Sequence, residues 1–195
     1  MKKYFYILIA CILAISCSKS EPQLDRTIFI PDEENPNLPA YTEAGYNSFG
    51  AKYERQYFLA TNNNIPCKIV YNNDSLSFWL IGAINGSNAV LTVTFPSAPV
   101  KTPDDLQILN NLQIDLSQGS VVKFTSNYTP TILNVSGGTL YFKRFQSLSI
   151  DDKFNRIILS GTFDIRFMNN GFPESLSDGR FDLGITGNDF QSYAQ

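Results

Sequence analysis

The stretch "RIILSGTFDIRFM" (156–168) decides the fold. Ile157, Leu159, Gly161, Phe163, Ile165 and Phe167 fall on one set of alternate positions. Arg156, Ile158, Ser160, Thr162, Asp164 and Arg166 fall on the other. A helix would mix the two sets around its axis. A strand sends successive side chains to opposite faces, so this segment predicts a strand with one apolar, buried face.

The same period of two recurs outward from it. "AVLTVTF" (89–95) sets Ala89, Leu91, Val93 and Phe95 against Val90, Thr92 and Thr94. "RFDLGI" (180–185) repeats it with Phe181, Leu183 and Ile185. "SLSFWLIG" (75–82) is apolar on both faces in its second half, which suits a strand covered on both sides. Further strands are expected at 48–53, 55–60, 66–71, 120–126, 131–135 and 138–145. Asn clusters, Asn85-Gly86, Gly137-Gly138, "DDKFN" (151–155) and Asp178-Gly179 are read as the turns between them. One helix signal stands out. Thr102 can cap, Pro103 suits the first turn, Asp104 and Asp105 favour a helix N-terminus, and Leu106, Leu109 and Leu112 recur at spacing three. The reading is all-β: an antiparallel β-sandwich or barrel-like meander of about 8–11 strands, with at most one short helix near 103–112.

The N-terminus carries different information. Lys2 and Lys3 precede Tyr4 to Ile15, 12 residues without a charge, the length of a signal h-region and too short to span a bilayer. Two cysteines end lipobox-like segments, Leu8-Ile9-Ala10-Cys11 and Ala14-Ile15-Ser16-Cys17. Cleavage before Cys11 would leave apolar Ile12 to Ile15 on the mature chain, whereas the sequence turns polar directly after Cys17. Cys17 is therefore expected to be the lipidated N-terminus, with plain secretion as the alternative. Acyl chains bury about 0.8 kcal/mol per CH₂, and two or more anchor a protein stably. The expected layout is a signal over 1–16, Cys17 and a polar, Pro-rich tether over 17–40, and one β domain over 41–195, with part of the tether packing as an edge strand at "TIFI" (27–30) as the alternative. The formal charge of −3 falls to about −5 once Lys2 and Lys3 are lost, which argues against nucleic acid as a partner. Cys67 would be the one mature thiol, and its strand-like setting "PCKIVY" favours a buried core residue over a reactive one.

Two segments together resemble a family of small Bacteroidetes lipoproteins. "EAGYNSFGAKYERQYFLA" (43–60) is similar to their Asn-Thr-Phe-Gly opening, and "RIILSGTFDIRF" (156–167) with "SDGRFDLGI" (177–185) is similar to their closing Ser-Gly-Thr-Phe and Asp-Gly-x-Phe-Asp signature. Ser48 stands where the family has Thr, and "YERQ" (53–56) where it has an Asn-Gly turn, which leaves the register of the first hairpin open. The resemblance implies a β-protein of the cell envelope and brings no reaction with it; with the lipid anchor, the expected location is the outer membrane. The motifs also have a structural reading: Gly161 admits a neighbouring chain, Asp178-Gly179 turns, and Phe181 anchors the core.

The residue inventory narrows the chemistry. With no histidine, Ser-His-Asp and Cys-His nucleophiles and the commonest zinc sites are out of reach, and no phosphate-binding loop is present. No cofactor or metal is expected. Carboxylates remain: Asp104, Asp105, Asp115, Asp151, Asp152, Asp164, Glu174, Asp178, Asp182 and Asp189. A glycoside hydrolase needs two of them facing across a cleft, but most sit in turn-like contexts where Asp bonds its own backbone. Asp178, Asp182 and Asp189 do not follow the spacing of a calcium loop. Aromatics make up 13% of the chain, including ten Tyr and the single Trp79; they suit either a core or a face that stacks on sugar rings. Asp74-Ser75-Leu76 resembles an O-glycosylation sequon, which makes Ser75 a candidate, with a plain β-turn as the structural alternative. The functional expectation is a membrane-anchored, non-catalytic binding or structural module whose partner is a glycan, a lipid or an envelope protein. A carboxylate-dependent hydrolase is the alternative.

Overall fold

The structure is a computed structural model that describes residues 26–61, 66–150 and 153–193. The signal segment and both N-terminal cysteines, Cys11 and Cys17, lie outside the described residues. The strands in chain order are β1 (Ser48–Tyr53), β2 (Gln56–Ala60), β3 (Cys67–Asn72), β4 (Ser75–Ile84), β5 (Ser87–Pro96), β6 (Leu112–Asp115), β7 (Val121–Ser126), β8 (Thr129–Ile132), β9 (Asn134–Ile150), β10 (Lys153–Asn169), β11 (Phe172–Ile185) and β12 (Phe190–Ser192). Among the described residues they form one 12-stranded sheet in the order β6-β9-β10-β11-β1-β2-β4-β5-β7-β8, with β3 also on β4 and β12 on β3. Every pairing is antiparallel except β12 on β3. The all-β expectation holds, and the sheet curls around its core as a half-barrel.

Each strand contributes its alternate apolar residues to the inside of the curl. Phe78, Phe142 and Phe181 meet there with ring centroids 5.1–5.7 Å apart. The odd-numbered face of 157–167 is buried as predicted. The helix is a 3₁₀ helix, Pro103–Leu109, whose Leu106 and Leu109 enter the same core. The Asp105 carboxylate accepts the backbone N–H groups of Lys101 and Thr102, closing its first turn. Leu112 continues the leucine spacing but begins β6, because Asn111 has φ +58° and breaks the helical path.

Three expectations are corrected. Gly137-Gly138 and Asp178-Gly179 are not turns. They lie inside β9 and β11, at shifts in register against β10, so they are bulges that bend long strands. Asp178 takes φ +52°, and Gly179 leaves room for the Phe163 ring, 2.6 Å from where a Cβ would stand. The strand count exceeds the expected range because the four-residue β6 and three-residue β12 are too short to show a pattern. Finally, residues read as tether pack on the domain. Pro31 bridges to Pro39, Leu38 is 0% exposed, and a Cβ at Gly50 would stand 2.5 Å from the Pro39 ring. Residues 26–47 thus form a strap across the outer face of β1, β10 and β11. That strap explains why Arg156, Ile158 and Ser160, on the face expected to be open, are buried too.

The first hairpin resolves to a two-residue turn. Tyr53 pairs with Gln56 across Glu54-Arg55, and Glu54 supplies the left-handed position (φ +54°) that an Asn-Gly pair supplies elsewhere.

Candidate functional site

The family-like signature residues hold the strap. Asp182 is 1% exposed on the outer face of β11. Its Oδ2 accepts from Thr42 Oγ1 (2.5 Å), Ala44 N (3.0 Å) and Tyr46 N (3.3 Å). Its Oδ1 accepts from Gly45 N (2.7 Å) and Ser160 Oγ (3.0 Å). A carboxylate saturated by five donors is a structural latch, with no lone pair left for a ligand. Arg180 adds a 2.7 Å ion pair to Asp32 of the strap. Gly161 is where β9 and Phe181 come close, since a Cβ there would stand 2.1 Å from the Tyr141 carbonyl oxygen. Structural roles therefore account for Ser160, Gly161, Phe163, Arg180, Phe181 and Asp182, with Asp178-Gly179 a bulge instead of the expected turn.

The remaining sequence candidates scatter. Asp104 accepts from Ser147 Oγ, Asp105 closes the 3₁₀ helix, and Asp115 accepts from Ser117. Asp151 and Asp152 lie outside the described residues. Asp164 and Asp178 border one open groove with Tyr41, Lys143 and Arg180, yet each faces a cation: Lys52 Nζ is 2.8 Å from Asp178, and Arg166 Nε is 3.8 Å from Asp164. Asp189 is buried near Cys67. Cys67 itself is core, and burial first, then the Asp189 charge, push its thiol far above the ordinary range. Ser75 opens β4 after the left-handed pair Asn73-Asp74, half-buried, with its hydroxyl donating to the Asn73 carbonyl at 3.4 Å. Trp79 is half-buried on the outer face of β4, with the Lys68 ammonium 5.7 Å above its ring.

A cleft that no motif announces opens at one end of the half-barrel. The registers Tyr53↔Leu176, Phe58↔Ile84 and Ala89↔Ser126 bring four hairpin tips to the same end: 54–55, 85–86, 127–128 and 170–171. Between them lies a cleft of about 260 Å³. Its floor is Tyr53, Phe124 and Phe167, with Tyr53 5.7 Å from the Phe124 ring and stacked 6.4 Å from Phe167. Its rim carries uncharged polar groups, among them Gln56, Ser126, Thr129 and Asn169. The Tyr53 hydroxyl donates to Glu174 Oε2 at 2.7 Å and Asn169 Nδ2 donates to Oε1 at 2.9 Å, so both oxygens of Glu174 are engaged. Burial, then the bond to Glu174, raise the Tyr53 phenol to about 12. Beside the cleft, Tyr128 is 85% and Phe172 71% exposed on two of the tips. The sequence signal for this site is weak: its aromatics look like core residues, and the left-handed positions at the tips, Glu54, Asn85, Asn127-Tyr128 and Asn170, mark turns rather than a site.

Comparison with protein-family models, with curated proteins and with solved structures finds no match to this chain.

Proposed function

We propose that this chain is an envelope lipoprotein, held on the outer membrane through Cys17, whose β domain binds a neutral glycan without turning it over. The hairpin-end cleft carries this reading. The half-buried Tyr53 ring, backed by the buried Phe124 and Phe167, offers an apolar surface to the C–H groups of a sugar, and hydroxyl and amide groups on the rim match its hydroxyls. The lack of a charged side chain along that lining suits an uncharged ligand. A carboxylate-dependent hydrolase finds less support, because Asp164 and Asp178 are engaged by Arg166 and Lys52. An envelope-protein or lipid partner would use the exposed Tyr128 and Phe172 without needing the cleft.

The test is retention of the full chain, in detergent, on a panel of immobilised neutral glycans. Saturable binding to one of them, weakened by Gln56→Ala in the exposed rim, is the expected result. Retention on none, or turnover lost in Asp164→Asn or Asp178→Asn, overturns it. The anchor is tested separately: Cys17→Ser should abolish labelling by a fatty-acid analogue. Labelling that persists there and disappears in Cys11→Ser would assign the other cysteine.

A further inference from the structure

The strap covers only part of the outer face. Arg156, Ile158 and Ser160 are buried beneath it, whereas the outward residues of β3, β4, β5, β7 and β8 are all half-buried or exposed. Register lines up Lys68, Trp79, Thr92, Lys123 and Ile132 as one row across these five strands. In the next row Ile81 stands beside Val90. A sheet face left to water ordinarily carries polar residues at its outward positions. Here a Trp, an Ile and a Val remain, and Ile132 is 67% exposed.

The charge on this face runs against that of the chain. The formal net charge is −3, yet none of the five strands contains Asp, Glu or Arg, so Lys68 and Lys123 are their only charged residues. Neither lysine takes part in an ion pair among the described residues. They stand three strands apart, about 14 Å, with Trp79 and Thr92 between them. The nearby Asp74, in the turn from β3 to β4, accepts from the hydroxyl of Tyr71, a residue of the inner face.

The chain also enters the fold beside this face. Thr27 Oγ1 donates to the Thr61 carbonyl at 3.4 Å, directly after β2, and Ala60 of β2 pairs with Gly82 of β4. Cys17 lies nine residues before Arg26, a reach of at most about 32 Å. A lipid on Cys17 therefore keeps a membrane surface within reach of the row.

We infer that this outer face docks on the headgroup surface of an anionic membrane. Lys68 and Lys123 meet lipid phosphates, their stems lying along the sheet, and Trp79 with Ile81 and Val90 sits at the boundary of headgroups and acyl chains, where Trp is favoured. The inference rests on the anchor at Cys17, which turns the weak attraction of two lysines into an intramolecular contact. Ile84 and Phe124, which line the hairpin-end cleft, belong to the inner face of the same strands, so docking leaves that cleft open.

Trp79 is the single tryptophan of the chain and serves as the probe. The full chain is reconstituted in vesicles of phosphatidylcholine, or of an equimolar mixture of phosphatidylcholine and phosphatidylglycerol, with bromine on the acyl chains of each. Flotation reads the anchor, and quenching of Trp79 emission reads the docking. One lysine at an anionic surface is worth about fivefold in partition, so the pair should raise the ratio of docked to undocked chain about 30-fold over neutral vesicles. Strong quenching in the anionic vesicles, lost when Lys68→Gln and Lys123→Gln are combined, is the expected result. If the combined variant shows no cooperative unfolding transition, the exposed Lys123→Gln alone should lower the ratio about fivefold. Equal quenching in both vesicles, or none in either, overturns the proposal. So does protection of Trp79 from acrylamide in detergent that grows with protein concentration, which assigns the face to a second copy of the chain. A chain that does not float with neutral vesicles refutes the anchor; quenching in the anionic vesicles then still supports the docking surface, and its absence overturns it.

Discussion

The outer face under the strap and the mouth at the hairpin end use polar groups in opposite ways. Under the strap, Asp182 is surrounded by three backbone N–H groups and two hydroxyls, and nothing there is left for another molecule. At the mouth, hydroxyls and amides ring an aromatic floor, and two large rings stand in solvent. Motif-like sequence marks the first region and not the second. In this chain the recognisable motifs build the scaffold, and the cleft proposed to bind lies between hairpin ends whose residues are far apart in sequence.

The comparison breaks most readily in the scaffold. Phe163 is 4% exposed and packs on Gly179 at the bulge. Phe163→Ala should cost about 3–5 kcal/mol in chemical denaturation, as truncation of a buried aromatic does. Thr162→Ala, one position away on the half-buried face, should stay within about 0.5 kcal/mol. Equal small effects at both positions would remove the basis for placing the core on the odd-numbered face.

Asp182→Ala comes next. It orphans the buried Gly45 N–H and Ser160 hydroxyl outright, and at about 1–3 kcal/mol each the loss should be about 2–6 kcal/mol. A readout specific to the latch is limited proteolysis. The strap over 26–47 should be cut faster in this variant, while cleavage of the 170–171 tip should not change. Protection of the strap equal to the wild type would mean that Leu38 and the Arg180–Asp32 pair hold it without Asp182.

How much was legible follows from which forces leave a local pattern. Period-two alternation survives in 89–95, 156–168 and 180–185 because one face of each strand is immersed in the core. Composition points away from the strap, since three prolines and Asp32-Glu33-Glu34 describe a solvated linker. It docks through Leu38, Pro39 and a single distant carboxylate, contacts that are long in sequence separation and carry no periodicity. Gly137-Gly138 and Asp178-Gly179 look like turns in sequence because a bulge and a turn use the same left-handed conformations. The cleft is composed of Tyr53, Phe124 and Phe167, which only register brings together.

The mouth can be sharpened by pH. Burial, then the bond to Glu174, hold the Tyr53 phenol protonated up to about 12, against about 10 in an unfolded chain. The stability this provides is fully present below pH 10 and is lost as pH rises through 12. Tyr41 is shifted upward as well, by burial and by its bond to Glu43, so the informative quantity is a difference. Denaturation curves of the wild type and Tyr53→Phe should converge between pH 10 and 12, from a gap of about 0.5–1.5 kcal/mol at neutral pH. A gap that does not change with pH would mean that the hydroxyl is not held as described.

The smallest effect on stability should come from the two rings in solvent. Tyr128 and Phe172 bury little surface in the folded chain, so Tyr128→Ala and Phe172→Ala should each shift the denaturation midpoint by no more than about 0.5 kcal/mol. Among the described residues Tyr128 accepts a 3.3 Å hydrogen bond from Asn88 Nδ2 at its hydroxyl, and that bond is itself exposed. Large rings held in water on tight turns add no stability that their neighbours need, yet they offer rigid apolar area at little cost in side-chain entropy. If they flank a glycan in the cleft, each truncation should weaken retention by about tenfold or more while leaving the fold unchanged, the ratio expected of a ring that forms part of a binding hot spot. Loss of stability in step with loss of retention would make the tips part of the scaffold instead. Retention that survives both truncations but falls in Gln56→Ala would confine recognition to the cleft, with the rings left to a protein or lipid contact outside it.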